Sequence, residues 1–166
     1  MMFLKNMIIV VIFVIVIFIC GGKAFCESDT CHYCGMKRSQ FGYSWVIIEH
    51  EKASPTGVCS IHCAAIDMAL NSGKFTRKIT AGDYNTEKQI DADKAYWVIG
   101  GDKVGVMTSR AKWAFETKDA ADKFIRTHRG QAATFSKSLK AAFEDMYEDI
   151  LMIQKKRRMM EIKEKF

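Results

Sequence analysis

The chain has 166 residues, enough for one domain with a hydrophobic core and too few for two large ones. Removing residues 1–24 leaves 23 basic side chains against 19 acidic ones, a net charge of +4. Such a small excess, without aromatic residues interleaved among the basic ones, argues against a protein that binds nucleic acid.

The chain begins with a predicted export signal. Residues 7–19 form an apolar run of 13 residues, preceded by one lysine and followed by small residues. This arrangement is typical of a secretory signal, whereas a membrane-spanning helix needs about 20 residues. We predict that residues 1–24 are a signal peptide or an N-terminal membrane anchor, and that the rest is exported to the periplasm or the outer face of the cytoplasmic membrane. The bulky Ile19 disfavours a third option, lipid modification of Cys20.

The first half of the exported part is predicted to contain a cysteine knuckle, a strand and a helix. Residues 42–48 (GYSWVII) have the aromatic and β-branched content of a strand, and residues 54–57 (SPTG) are typical of a turn. Residues 59–70 (CSIHCAAIDMAL) carry apolar side chains at helical spacing. Asn71 and Gly73 follow and favour the end of this helix.

The second half is predicted to follow a related plan. Residues 75–81 and 95–99 have strand composition, and the glycines that follow the second strand predict a hairpin with residues 104–107. Thr117 is expected to cap a helix that ends near His128.

A strand at residues 131–135 and a long helix from Ser136 complete the predicted elements. The helix has an apolar line that we interpret as packing residues, formed by Leu139, Phe143, Met146, Ile150 and Ile153.

The order of these elements predicts an α+β fold of two ββα-type units and a long C-terminal helix, with a treble-clef-like cysteine knuckle in the first unit. We predict a metal-binding domain at residues 31–149 and a basic helical extension at residues 150–166. The cluster KKRR at residues 155–158 is interpreted as a solvated helix face, with contact to anionic lipid as the alternative.

Four of the six cysteines form two closely spaced pairs. Cys31 and Cys34 are separated by two residues, a spacing that lets both thiolates face one ion, and Gly35 suits the left-handed backbone of such a turn. Cys59 and Cys63 are four residues apart and would share one face of a helix. The two pairs therefore predict a site with four converging thiolates.

Three chemistries remain open for this site, namely metal binding, a structural disulfide framework and dithiol redox catalysis. Exported proteins usually oxidise their thiols, so the disulfide framework is the main competitor of metal binding. A thioredoxin-like CxxC follows a strand and opens a helix, and Cys31 and Cys34 lack this predicted context.

The residues beside the cysteines bear on which metal is bound. Zinc takes four thiolates in closed sites, whereas Cu(I) favours thiolate and thioether ligands together. Met36 places a thioether beside Cys34, and Met107 is a candidate for a second one. His62 lies within the second cysteine pair and is a further candidate ligand, whereas His50 is expected at the surface.

Three segments together resemble the NosL family of nitrous oxide reductase accessory proteins. They are CGM at residues 34–36, IDADKAYWVIGGDKVGVMT at residues 90–108 and AFETKDAADKFIRTHRGQAATF at residues 114–135. The resemblance covers roughly residues 31–149. It implies a fold of two facing ββα-type units in an exported protein that binds Cu(I) and delivers it during assembly of a copper centre. It also implies that Cys34, Met36 and Met107 are ligands.

The chain departs from the usual NosL pattern at the second cysteine pair. Cys59 and Cys63 look more like the pair found in TRASH-type metal-binding modules. Extra thiolates of this kind are compatible with structural zinc, with more than one copper ion, or with a different recipient enzyme.

The predicted function is therefore that of an exported Cu(I) carrier, without enzymatic activity, that serves a recipient metalloenzyme or another copper-handling protein. The alternatives are a binding module stapled by Zn(II) or disulfides, and a CxxC thiol oxidoreductase. The predicted metal ligands are Cys31, Cys34, Met36, Cys59, His62, Cys63 and Met107.

Overall fold

A computed structural model describes residues 29–164, so the predicted signal peptide lies outside the described residues. The described part combines helices with two small antiparallel sheets, which confirms the prediction of an α+β fold. None of the helices within residues 29–164 combines the length and apolar character needed to cross a membrane.

The first sheet has four antiparallel strands in the order β2-β1-β3-β4. A short helix α1 (Arg38–Phe41) and a 3₁₀ turn (Gly42–Ser44) precede it, so the predicted strand at 42–48 begins only at Val46. The strands are β1 (Val46–His50), β2 (Thr56–Val58), β3 (Thr76–Gly82) and β4 (Gln89–Asp91). The sheet thus follows directly on the cysteine knuckle.

Helix α2 (Ile61–Leu70) begins two residues later than predicted. Ser60 precedes it with an extended backbone, φ −166° and ψ 171°. Cys59 therefore lies between β2 and α2 and only Cys63 lies in the first helical turn, so the argument that both share a helix face was wrong. The helix ends where the Asn71 backbone N–H donates to the Asp67 carbonyl oxygen.

The second sheet has the strand order β6-β5-β7 and consists of β5 (Tyr96–Ile99), β6 (Lys112–Phe115) and β7 (Gln131–Ala133). The predicted hairpin partner at residues 104–107 was wrong, because β5 pairs with β6 and β7 instead. Gly100 and Gly101 adopt φ values of +80° and +97°, and Met107 has φ +60°. These left-handed conformations interrupt an extended chain, so residues 104–107 form a loop.

The remaining helices frame this sheet. Thr117 caps α3 (Lys118–His128) as predicted, since its side chain accepts a hydrogen bond from the Ala120 backbone N–H. The long predicted helix is divided at Asp145 into α4 (Phe135–Glu144) and α5 (Met146–Glu164). The predicted boundary between residues 149 and 150 thus falls inside α5.

The apolar line predicted along these two helices packs only in part. Leu139 and Met146 lie against the core, whereas Phe143 and Ile150 are 43% and 42% exposed. Asp145 accounts for the change of packing face, because its carboxylate binds Lys112 Nζ at 2.6 Å and Arg110 Nε at 2.8 Å. An ion-paired carboxylate thereby replaces apolar packing at the junction of the helices.

One cluster of buried residues joins the two sheets. The Tyr84 backbone N–H donates to the Ala114 carbonyl oxygen at 2.8 Å, and the buried Asp83 carboxylate accepts from the Glu116 N–H at 2.7 Å. These bonds fix the end of β3 against β6, so the cysteine-rich half and the second half hold a defined position relative to each other.

Candidate metal centre

The CxxC segment forms a closed turn. The Cys31 backbone N–H donates to the Met36 carbonyl oxygen at 2.8 Å, and the Gly35 N–H donates to the Cys31 carbonyl oxygen at 2.9 Å. Gly35 has φ +75°, the left-handed conformation that was predicted for it. The turn brings the Cys31 and Cys34 side chains to the same side of the knuckle.

The second cysteine pair meets the first at this point. The Cys34 and Cys59 Sγ atoms are 3.4 Å apart, and those of Cys59 and Cys63 are 3.7 Å apart. All four sulfur atoms lie within 4.8 Å of one another, and all four cysteines are free thiols. The structure therefore brings together the four thiols that the sequence predicted to converge.

The donor set fits one soft metal ion. Tetrahedral coordination at a zinc–sulfur distance of about 2.3 Å separates the sulfur atoms by about 3.8 Å. The observed separations of 3.4 and 3.7 Å come close to this value. Cys31, Cys59 and Cys63 are buried, whereas Cys34 is half-buried, so the cluster is reached from solvent at Cys34.

The four thiols differ in pKa. Hydrogen bonds from Cys34, Cys59 and Cys63 lower the pKa of Cys31 far below its usual value. The contact with Cys31 raises the pKa of Cys34, but hydrogen bonds from Cys59 and Cys63 lower it more, to about 7. Hydrogen bonds to the first pair raise the pKa values of Cys59 and Cys63. The last protons are therefore held tightly, and a metal that takes all four thiolates must displace them.

An open cleft adjoins the cluster and has a volume of ≈ 490 Å³. Three predicted ligands, Cys34, Met36 and Met107, line it. Its other walls are formed by Phe41, Tyr43, residues 104–106 and five residues of α5, namely Met152, Ile153, Lys156, Arg157 and Met160. One thiol and several thioethers thus face the same space, and Cys34 belongs to both the cluster and the cleft.

Met107 is held in this cleft by a constrained loop. Its φ of +60° is unusual for a residue with a side chain and persists only when the surroundings enforce it. A Cβ atom on Gly105 would lie 2.7 Å from Thr108, so this close approach requires glycine. The tight loop replaces the predicted hairpin strand as the element that positions Met107.

Comparison with known proteins identifies the family of this chain. The sequence model of the NosL family matches residues 23–142, which is most of the chain. The chain belongs to the NosL family. None of the curated proteins is significantly similar in sequence to this NosL-family chain.

The fold of this NosL protein also resembles a solved structure, that of the copper chaperone NosL from Shewanella denitrificans. The two chains are 21% identical, and the match covers 69% of this chain and 92% of the other with a TM-score of 0.54. The similarity confirms a NosL-like fold.

His62 is the predicted ligand that this NosL structure directs elsewhere. Its side chain is buried, and its Nδ1 atom lies 3.1 Å from Asp149 Oδ2 on α5. Burial lowers the pKa of His62. Among the described histidines, cysteines, aspartates and glutamates, the group close enough together to hold one ion consists of the four cysteines. A metal-binding role for His62 stays a prediction.

Three side chains that form a hydrogen-bonded network beside the cluster, Tyr33, Asp67 and His50, were missed by sequence reasoning. The Tyr33 hydroxyl donates to Asp67 Oδ1 at 2.6 Å, and His50 Nε2 lies 3.3 Å from Asp67 Oδ2. His50 is 7% exposed, so the expectation of a surface residue was wrong. The position of Tyr33 inside the CxxC was the only sequence signal, and nothing local identifies its partner 34 residues away.

Proposed function

We propose that this NosL-family protein binds Cu(I) outside the cytoplasm and delivers it for assembly of a copper centre. The observation that carries the proposal is the cleft in which the Cys34 thiol and the thioethers of Met36 and Met107 face one space. Thiolate and thioether sulfur are the ligands that Cu(I) prefers. The similarity to a copper chaperone from Shewanella denitrificans supports the same metal.

The exposure of the donors suits transfer. A carrier gives up its ion by ligand exchange, so at least one ligand must be reachable by the recipient protein. Cys34 is half-buried and lines the open cleft, whereas Cys31, Cys59 and Cys63 are buried behind it. In the proposed mechanism the recipient approaches through the cleft and replaces Met36, Met107 and finally Cys34.

The three buried cysteines have a supporting role in this proposal. Cys31, Cys59 and Cys63 either complete the copper site or hold a second ion as a thiolate cluster. The proposed function is binding and delivery, without enzymatic activity. The recipient is a metalloenzyme or another copper-handling protein. Export to the periplasm or to the outer face of the cytoplasmic membrane, with the N-terminal segment as an optional anchor, follows from the predicted signal.

The test is competition for Cu(I) between a chromogenic chelator and the full chain, purified anaerobically in a mild detergent. We expect the double variant Cys34→Ser/Met36→Leu to bind Cu(I) at least about tenfold more weakly, a difference of about 1.4 kcal/mol. Met68→Leu, at a methionine that packs against the core away from the cleft, is the matched control. Unchanged affinity in the double variant would refute the proposal.

A second candidate function is a zinc-stapled module that binds another protein. It is favoured by the convergence of four thiols within 4.8 Å, the donor set of closed structural zinc sites. Metal analysis and thiol counting of the unreduced full chain separate the two candidates. One tightly bound zinc per chain, together with no copper binding that competes with the chelator, would favour the zinc-stapled module.

A further inference from the structure

The last helix contributes two methionines to the cleft. Met152 and Met160 line it together with Cys34, Met36 and Met107. Both lie beyond residue 142, where the match to the NosL family ends. The adjacent Met159 is 51% exposed and is not part of the cleft wall. The helix thus places two thioethers at the cleft, whereas the thioether of Met159 lies outside it.

A buried carboxylate fixes this helix at the site. Asp149 is 1% exposed, and its Oδ1 accepts a hydrogen bond from the Ser109 backbone N–H at 3.1 Å. Its Oδ2 lies 3.1 Å from His62 Nδ1. Ser109 follows Met107 by two residues, and His62 is adjacent to Cys63. Asp149 therefore joins α5 to two segments that carry predicted ligands.

The helical spacing of α5 places several residues that line the cleft on the same face as Asp149. Met152 lies three residues after Asp149, and Lys156 and Met160 follow at intervals of four, so these side chains share one face of α5. Met152 and Met160 are separated by about 12 Å along the helix axis, at 1.5 Å per residue. Met152 is half-buried whereas Met160 is 56% exposed, so the two thioethers lie at different depths.

The chemistry of the cleft wall selects for a soft ion. No carboxylate lines the cleft within residues 29–164, so hard cations such as Mg²⁺ or Ca²⁺ find no acidic oxygen ligands there. Lys156 and Arg157 add positive charge that balances a thiolate. Exposed methionine at Met160 gains little from packing, whereas a neutral thioether binds Cu(I) beside these cations without adding charge.

We propose that Met152 and Met160 are thioether ligands for Cu(I) in this cleft, which makes the last helix part of the copper site. Met152 contacts the ion together with the inner donors Cys34, Met36 and Met107. Met160 contacts the ion nearer the mouth, as it enters or leaves. This inference rests on the proposed copper-binding function.

The test observes each methionine directly. The full chain in detergent micelles is labelled with ¹³C-methyl methionine, assigned by single Met→Leu variants and titrated with Ag(I), a redox-inert probe for Cu(I). We expect the methyl signals of Met152 and Met160 to shift along with those of Met36 and Met107. The signal of Met159 should stay in place.

Cu(I) competition provides a second readout. We expect Met152→Leu/Met160→Leu to bind Cu(I) at least threefold more weakly than the matched control Met159→Leu. Thermal unfolding of both variants without metal should be equal, which shows that the leucines leave the fold intact.

The outcomes distinguish the two proposals. If Met36 and Met107 shift while Met152 and Met160 do not, the inference is overturned and the copper-binding function stands. If Met159 shifts as much as Met152 and Met160, the contact with the last helix is non-specific and the inference fails. If none of these signals shifts and no Cu(I) is retained, both are overturned.

Discussion

The thiol cluster and the cleft beside it both present sulfur ligands, but the cluster is largely buried and the cleft is open to solvent. Three of the four cluster thiols are buried, whereas the cleft is open along α5. A closed set of four thiolates retains an ion, and an open set of thioethers lets it exchange. Cys34 belongs to both regions. The other ligands around this one thiol therefore decide whether a bound ion is retained or exchanged.

Removing a buried thiol should have the largest effect on this contrast. We expect Cys63→Ser to lower the affinity of the cluster for Zn(II) or Cu(I) by about 100-fold or more, because one of four ligands in a closed site is lost. Chelator competition with each metal measures the change. Cys26→Ser, at a cysteine outside the two pairs, is the control. An effect below about threefold would show that the four thiols do not act as one site.

The second-largest effect is expected from removing Asp149, which holds α5 beside the cluster and the cleft. We expect Asp149→Ala to lower the free energy of unfolding by about 2–3 kcal/mol, since it leaves His62 Nδ1 buried without its partner and removes the acceptor of the Ser109 N–H. Urea unfolding of the reduced, metal-free chain measures the loss. The neighbouring exposed Glu148→Ala should change stability little. Equal stability of the two variants would contradict the role given to Asp149.

A change confined to the cleft should separate the two metals. We expect Met107→Leu to weaken Cu(I) binding about tenfold, or 1.4 kcal/mol, and to leave Zn(II) binding unchanged. The reason is that zinc uses the four thiols, whereas Cu(I) also uses the thioether. Parallel competition with both metals measures this, with Met68→Leu as the control. A parallel loss of zinc affinity would mean that cluster and cleft are one site.

The smallest effect is expected at the junction of α4 and α5. Burial raises the pKa of Asp145, but hydrogen bonds from Arg110 and Lys112 lower it more, to below its usual value of 3.8. A carboxyl with a lowered pKa stabilises the fold above its usual pKa, and this contribution disappears as the pH falls through the folded-state value. We expect Asp145→Asn to cost about 1 kcal/mol at neutral pH.

The pH dependence of the stability difference provides the control for Asp145→Asn. The difference in urea midpoint between Asp145→Asn and the unaltered chain should shrink as the pH falls from 3.8 through the lowered folded-state pKa, because below that pKa both chains carry a neutral group at this position. A difference that stays constant down to the acid limit would show that shape, and not charge, accounts for the loss.

The sequence predicted features that depend on neighbouring residues. The turn at Gly35 and the Thr117 cap follow from residue type within a few positions, whereas the convergence of the two cysteine pairs was predicted from the presence of two closely spaced pairs. The hairpin error had a local cause as well, because the glycines that follow β5 favour a turn without specifying what pairs after it.

Features set by distant partners were beyond such reasoning. The contact between His62 and Asp149 joins residues 87 positions apart, and it links α5 to α2. Met152 and Met160 therefore looked like ordinary residues of a basic helix. The Asp145 ion pairs similarly redirected the packing of a helix whose apolar spacing was regular.

The hydrogen bond from Tyr33 to Asp67 has a consequence for how fast the protein is loaded. It runs from the centre of the CxxC turn to α2, which carries Cys63, so it joins two segments that supply thiols of the cluster. Many small metallo-domains fold only when the ion arrives. We expect this hydrogen bond to order the two segments before the ion binds, so that exchange of sulfur ligands, and not folding of the chain, sets the rate of metal uptake.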